Sequence, residues 1–212
     1  MNCRQLDLAS YSRRAHFSYF SSLAYPYVGM TVNVDITTML HAAREKKLPL
    51  FLTLCYCVCE AANSVPEFRQ RIVDGGIVEF DRCRSSHTVA LEDGTYCYCT
   101  LENGFPLPEF LRRATAAQEE ARRAQSIEED EGDMLDLFFL STLPWVSYSA
   151  LVQPVPIPAD SNPRITWGKY FEQNGRTLLP LSVLCHHALV DGIHIARFYE
   201  AMDAQLAAVN RL

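Results

Sequence analysis

Two adjacent histidines, His186 and His187, end an apolar run from Leu181 to Cys185, and Asp191 follows four residues after the second. Imidazole titrates near neutral pH, so a histidine held rigidly at a pocket can take and return a proton. A carboxylate four positions on, across a turn, suggests an aspartate that orients the histidine, as in a hydrolase triad. A triad needs a nucleophile, and the chain has no Gly-x-Ser-x-Gly elbow. Nor does it contain a Gly-x-x-x-x-Gly-Lys phosphate loop or a Gly-x-Gly-x-x-Gly fingerprint. A base without a protein nucleophile implies direct attack by a hydroxyl or amine of the substrate. His16, His41, His87 and His194 show no metal-ligand spacing, and no metal is assigned. Cys55, Cys57 and Cys59 alternate with Tyr56 and Val58, too closely for a zinc knuckle. Buried free thiols are the expectation for these and for Cys97 and Cys99.

Several elements must position these groups. The apolar run reads as a buried strand, and the pattern turns helical after Gly192. Asp191 then caps a helix from Ile193 to about Val209. Further upstream, the pattern predicts a helix over 9–23 with Ser10 as its cap and a half-buried strand at 30–34. Asp35 should cap a helix over 36–46, and Pro49 should open a largely buried helix to about Asn63. A short connection at 67–72 leads into a turn at Asp74-Gly75-Gly76 between strands. A second hairpin is expected over 87–91 and 95–100, then an amphipathic helix from Pro106 to Ala124. The acidic Glu128–Glu131 stretch reads as a surface loop. Strands near 135–141, 145–151, 164–172 and 177–186 complete the chain, with a turn at Asn174-Gly175. Together these give one α/β domain over 1–212, with helices on one side of a large mixed sheet.

Composition narrows the class. A net charge of -6 argues against general nucleic-acid binding. No signal peptide is evident at Met1–Gln5, and no stretch is apolar for long enough to span a membrane. Free thiols fit a reducing cytoplasm.

His186-His187-Ala188-Leu189-Val190-Asp191-Gly192 resembles the His-His-x-x-x-Asp-Gly motif of coenzyme-A-dependent acyltransferases. Arg13-Arg14-Ala15-His16-Phe17, Val34-Asp35-Ile36-Thr37, Pro66-Glu67-Phe68-Arg69, Leu143-Pro144-Trp145-Val146 and Gly168-Lys169-Tyr170 fall in the order and spacing of the chloramphenicol acetyltransferase family. The resemblance covers nearly the whole chain. It implies a two-layer sandwich with a mostly antiparallel sheet, acetyl-CoA as co-substrate and transfer to a hydroxyl of chloramphenicol or a similar small molecule. It implies His187 as general base, Ser141 as donor to the oxyanion, and Thr166 as holder of a water beside it. Asp191 and Arg13 are implied to form a buried structural pair. Tyr19, Phe20, Val28 and Tyr96 match acceptor-pocket positions, where this chain has Tyr19-Phe20 in place of a Phe-Tyr order and Val28 in place of a phenylalanine. Phe51 and Tyr170 match positions that stack on adenine. A homotrimer with its site between subunits is implied, and the apolar strands expected at 145–151 and 177–186 would need cover at a sheet edge. Two other readings stay open: a dihydrolipoamide acyltransferase core, which normally carries a lipoyl domain and linker this length leaves no room for, and a binding protein on the same scaffold.

Overall fold

The computed structural model describes residues 2–125 and 134–211, so the expected acidic loop at 128–131 lies outside the described residues. The architecture is a large mixed sheet with helices on one face. The sheet contains β2 (Tyr27–Asp35), β5 (Arg84–Ala90), β6 (Tyr96–Leu101), β7 (Leu137–Leu143), β8 (Arg164–Gly168), β9 (Phe171–Gln173) and β10 (Arg176–His186). Its order is β2-β10-β8-β7-β5-β6, with β9 pairing β10 from outside that path. The β5–β7 and β7–β8 pairs are parallel, whereas β2–β10, β10–β8, β10–β9 and β5–β6 are antiparallel.

β10 is central. Leu179, Leu181, Val183 and Cys185 are buried against the helices, while Ser182 and His186 are buried on the opposite face. Cover on both faces explains why this strand reads as one continuous apolar run. The helical layer consists of α2 (Thr37–Glu45), α3 (Leu50–Asn63), α4 (Leu107–Ala124) and α5 (Gly192–Val209). α3 is buried on most of its surface, including Cys55, Cys57 and Cys59. The short α1 (Arg14–Ser21) packs Phe17 into the same core.

Several expectations are corrected. The first helix is shorter than 9–23, because Asp7 and Ser10 close a separate turn: Ala9 N–H and Ser10 Oγ both donate to the Asp7 carboxylate. Residues 67–72 are more than a connection. They form a 3₁₀ turn (Pro66–Arg69) and β3 (Gln70–Val73). β3, β4 (Gly76–Phe80) and β1 (Cys3–Leu6) build a separate small sheet in the order β1-β4-β3. The expected strand at 145–151 is absent. Pro144 stops the ladder, and the segment turns back on hydrogen bonds from Val146 N–H to the Leu143 carbonyl and from Lys169 N–H to the Val146 carbonyl. The strand expected over 164–172 is interrupted at Lys169 and Tyr170, giving β8 and β9. β10 is interior to the sheet, so the argument that it needs cover at an edge does not hold; β2 and β6 are the edges. All eight cysteines are free, seven of them buried and Cys3 exposed. Among the described residues, no helix is long and apolar enough to cross a membrane.

Candidate active site

His187 follows directly on β10, and its surroundings fix its orientation. Its N–H donates to the Pro26 carbonyl at 2.7 Å, and its own carbonyl accepts from Arg13 Nη2 at 3.1 Å. The imidazole stacks on Phe20 with ring centroids 3.7 Å apart and planes 23° from parallel. Its Nδ1 lies 2.9 Å from the Val190 carbonyl. A carbonyl only accepts, so in the neutral ring Nδ1 carries the hydrogen and Nε2 keeps a lone pair. The ring is thus held in the tautomer that a general base requires.

Asp191 does not touch this imidazole. Its carboxylate accepts from Arg13 Nη1 at 2.9 Å and from Gly192 N–H at 2.7 Å. Those bonds hold its pKa below the ordinary carboxylate value, the Arg13 bond contributing most. Asp191 therefore caps α5 and anchors Arg13, and Arg13 in turn anchors the His187 carbonyl. The pair is less buried than the sequence suggested, since the Asp191 side chain is 43% exposed. Solvent screens it, so it contributes about 1 kcal/mol rather than the larger value of a buried pair. The helix start carries a further bond: Asp191 N–H donates to His194 Nδ1 at 2.9 Å, completing a reciprocal cap.

His186 points to the opposite face. Its Nδ1 accepts from Ala188 N–H at 3.3 Å, and Tyr27 lies edge-on to its ring. Burial depresses its pKa to about 4, so it stays neutral.

Ser141 lies on β7, in register with Thr166 on β8, which is in register with Ser182 on β10. Residues in register share a face, so these hydroxyls form a row that Thr31 on β2 extends through a 2.7 Å bond to Ser182. Thr166 Oγ1 donates to Gln153 Oε1 at 3.1 Å. Gln153 belongs to the irregular segment that replaced the expected strand. A cavity of about 380 Å³ opens on Ser141 and is also lined by Ser86, Thr88, Tyr98, Gln153 and Arg164. Arg164 is committed to Asp160 through paired contacts of 2.7 Å.

The predicted residues fall into three groups. His187, Phe20, Arg13 and Asp191 converge at the end of β10, with Tyr19 beside Phe20 and 63% exposed. Val28 pairs with Cys185 and packs against the core. Ser141 and Thr166 lie elsewhere on the sheet, and Tyr96, at the start of edge strand β6, is on their face. From the register, Ser141 is two strand spacings and four residue rises from His186. At about 4.8 Å and 3.3 Å each, that is roughly 16 Å. Phe51 and Tyr170 do meet: both line an apolar cavity of about 290 Å³ with Trp167 and Pro144. Sequence reasoning missed the Val190 carbonyl, because a backbone group leaves no residue signature. It also missed Gln153, whose segment carries no regular pattern.

Comparison with known proteins agrees with this architecture. The family described as "CAT: Chloramphenicol acetyltransferase" matches residues 1–203. A chloramphenicol acetyltransferase from Klebsiella sp is 29% identical, covering 93% of this chain and 91% of its own. Chloramphenicol acetyltransferase 2 from Haemophilus influenzae is 27% identical, covering 96% of each chain. A solved chloramphenicol acetyltransferase superposes with a TM-score of 0.87 at 23% identity, over 97% of this chain and 100% of that one. A probable dihydrolipoamide acetyltransferase from Listeria monocytogenes shares the fold less closely, with a TM-score of 0.68 over 94% of this chain and 93% of that one. With its family match running through almost the entire sequence, the chain belongs to the chloramphenicol acetyltransferase family, acyltransferases whose general activity is acetyl transfer from acetyl-CoA.

Proposed function

We propose that this single-domain chain transfers acetyl from acetyl-CoA to a hydroxyl of chloramphenicol or a similar small molecule, within a cytoplasmic homotrimer. The observation that carries the proposal is the bond from His187 Nδ1 to the Val190 carbonyl, which leaves Nε2 as the proton acceptor. His187 Nε2 takes the proton of the acceptor hydroxyl as its oxygen attacks the thioester carbonyl. Ser141 donates to the carbonyl oxygen as it becomes anionic, and a water on Thr166 adds a second donor. His187 returns the proton to the departing thiolate, so no bond to the enzyme forms and the proton count closes.

The separation of roughly 16 Å between the two halves of the site supports assembly, because one chain cannot bring Ser141 and His187 to the same atom. A second copy presenting its Ser141 face to His187 resolves this, with Tyr19, Phe20 and Val28 on one side of the acceptor and Tyr96 on the other. The 290 Å³ cavity suits the adenine of the coenzyme: its walls are mostly apolar, and Phe51 and Tyr170 offer faces for the ring. Buried free thiols fit a reducing compartment.

The test is thiol release from acetyl-CoA with chloramphenicol, followed by a panel of hydroxylated and amino acceptors. Release with a hydroxylated acceptor is expected. Coenzyme binding without release from any acceptor would overturn the reading.

A further inference from the structure

Thr166 faces the same side of the sheet as Ser141, its register neighbour, yet it is 2% exposed. What reaches the Ser141 cavity beside it is Gln153. Two contacts fix the irregular segment that carries Gln153. Tyr148 Oη donates to the Thr166 carbonyl at 2.8 Å. The Tyr148 ring also lies close over Gly168, where an added Cβ would come within 2.8 Å of it. Gly168 is two residues from Thr166 on one strand, so both are on the Ser141 face. The Gln153 side chain is placed there by its own bond: Thr166 Oγ1 donates to Gln153 Oε1 at 3.1 Å. An amide oxygen only accepts, and an amide nitrogen only donates. With the oxygen serving Thr166, Nε2 keeps two hydrogens and has no partner among the described residues. That nitrogen is open to solvent rather than sealed in the interior. Two cavities adjoin the residue, one of about 380 Å³ with Ser141 in its wall and one of about 230 Å³. In the smaller one, Ser182 and Thr31 already bond to each other at 2.7 Å. The Ser141 cavity is the one whose chemistry calls for a second donor.

We propose that Gln153 is a positioning residue that carries the donor of buried Thr166 out to the Ser141 cavity. The Thr166 hydroxyl gives its hydrogen to the amide oxygen, and the amide nitrogen offers one in its place. The recipient is the water that assists the oxyanion. That water accepts from Nε2 and keeps both of its own hydrogens, one of them for the oxyanion. This rests on the preceding reading, which puts the reacting carbonyl oxygen at Ser141 with a water beside it. Donation into the carbonyl end polarises the amide, so its N–H groups become better donors. An amide passes the hydrogen bond on without adding a charge. A carboxylate at position 153 would still accept from Thr166, but it would set a negative charge beside the developing oxyanion.

The experiment is steady-state kinetics with acetyl-CoA and the best acceptor of the panel, chloramphenicol first. The proteins are wild type, Gln153→Leu, Gln153→Glu, Thr166→Val, the double variant Gln153→Leu/Thr166→Val, and Ser141→Ala for reference. Gln153→Leu should lower kcat about tenfold with both KM values nearly unchanged. Thr166→Val should lower it by a similar factor, and the double variant should fall little further, because the two residues act in one chain of bonds. Gln153→Glu keeps the acceptor for Thr166 and loses the donor, so it should not restore kcat. A kcat for Gln153→Leu within about twofold of wild type would overturn the proposal. So would a loss confined to KM, or losses that multiply in the double variant. Full activity in Gln153→Glu would also overturn it, showing that the tether to Thr166 is all the site requires. An impaired Ser141→Ala beside an unimpaired Gln153→Leu overturns this assignment alone. A wild-type protein without turnover, or a Ser141→Ala variant that turns over normally, overturns the seating of the carbonyl oxygen and this assignment with it. Should Gln153→Leu fail to fold, Gln153→Met carries the same comparison with a side chain of nearly the original length.

Discussion

At the residue scale, the proposed base, His187, and the proposed oxyanion donor, Ser141, should fail in different ways. His187→Gln keeps polarity and approximate size but removes the basic Nε2. It should cut kcat by about 10²–10⁴-fold with the fold intact. Retention of a tenth of wild-type turnover would mean the proton goes elsewhere. Ser141→Ala removes a bond that forms only as charge develops, so kcat should fall by about 10²–10³ with both KM values nearly unchanged. A loss confined to KM would place Ser141 in ground-state binding instead. His186 should reveal itself through stability. Its folded pKa is about 4, below the ordinary 6.5, because burial disfavours the cation. Between those values the unfolded chain binds a proton that the folded chain refuses. Stability is therefore fully present above about pH 6.5 and falls toward pH 4, by up to about 3 kcal/mol from this residue. Urea midpoints measured across that window should decline, and His186→Gln should flatten the decline. An unchanged slope would show that other groups set it.

At the element scale, the junction from β10 to α5 was legible because each of its parts has a signature. The apolar run marked a central strand, Asp191-Gly192 marked a cap, and the helix began where the pattern changed. The hairpin at Asp74-Gly75 was legible for a similar reason. Asp74 and Gly75 have φ of 48° and 73°, the left-handed region that these residue types enter most easily. The segment 144–157 was not legible. Its Val146, Tyr148, Leu151 and Val152 resemble a strand in composition, but its backbone and side-chain polar groups are spent on tertiary contacts, such as Tyr148 Oη to the Thr166 carbonyl at 2.8 Å. β1 was missed because its exposed residues carry no apolar alternation; register with β4 makes it a strand. His187 was visible in its motif, whereas the Val190 carbonyl that sets its tautomer was not. Asp191→Asn acts at this scale. It loses the Arg13 ion pair and keeps an oxygen for the Gly192 cap. A drop in stability of about 1 kcal/mol with a parallel drop in activity is expected. Normal thermal stability with a strongly altered pH dependence of turnover would point to direct coupling with His187.

At the scale of the whole molecule, the proposed division of the site between chains makes a prediction that no point variant can. Chains carrying His187→Gln and chains carrying Ser141→Ala should each be nearly inactive alone. When they are mixed, unfolded and refolded together, about a quarter of the interfaces pair an intact His187 with an intact Ser141. Activity should return to about that fraction. No recovery, with hybrid assemblies verified by mass, would place both groups in one chain. Sedimentation should give about 72 kDa, three times the 24.0 kDa chain.

The distribution of thiols bears on how any of this is measured. Turnover is followed through the sulfhydryl that CoA gains, yet each chain brings Cys3 at its surface and seven more cysteines inside. A disulfide dye should register one equivalent per chain at once, before substrate is added, and that burst is a direct count of protein. The remaining seven should react only as the native structure opens, at a rate set by opening rather than by dye once the dye is in excess. In guanidinium all eight should appear together. The same cuvette that records catalysis can therefore time the breathing of the core, and a variant that loosens the packing of α3 would announce itself as a drifting baseline before its activity is known.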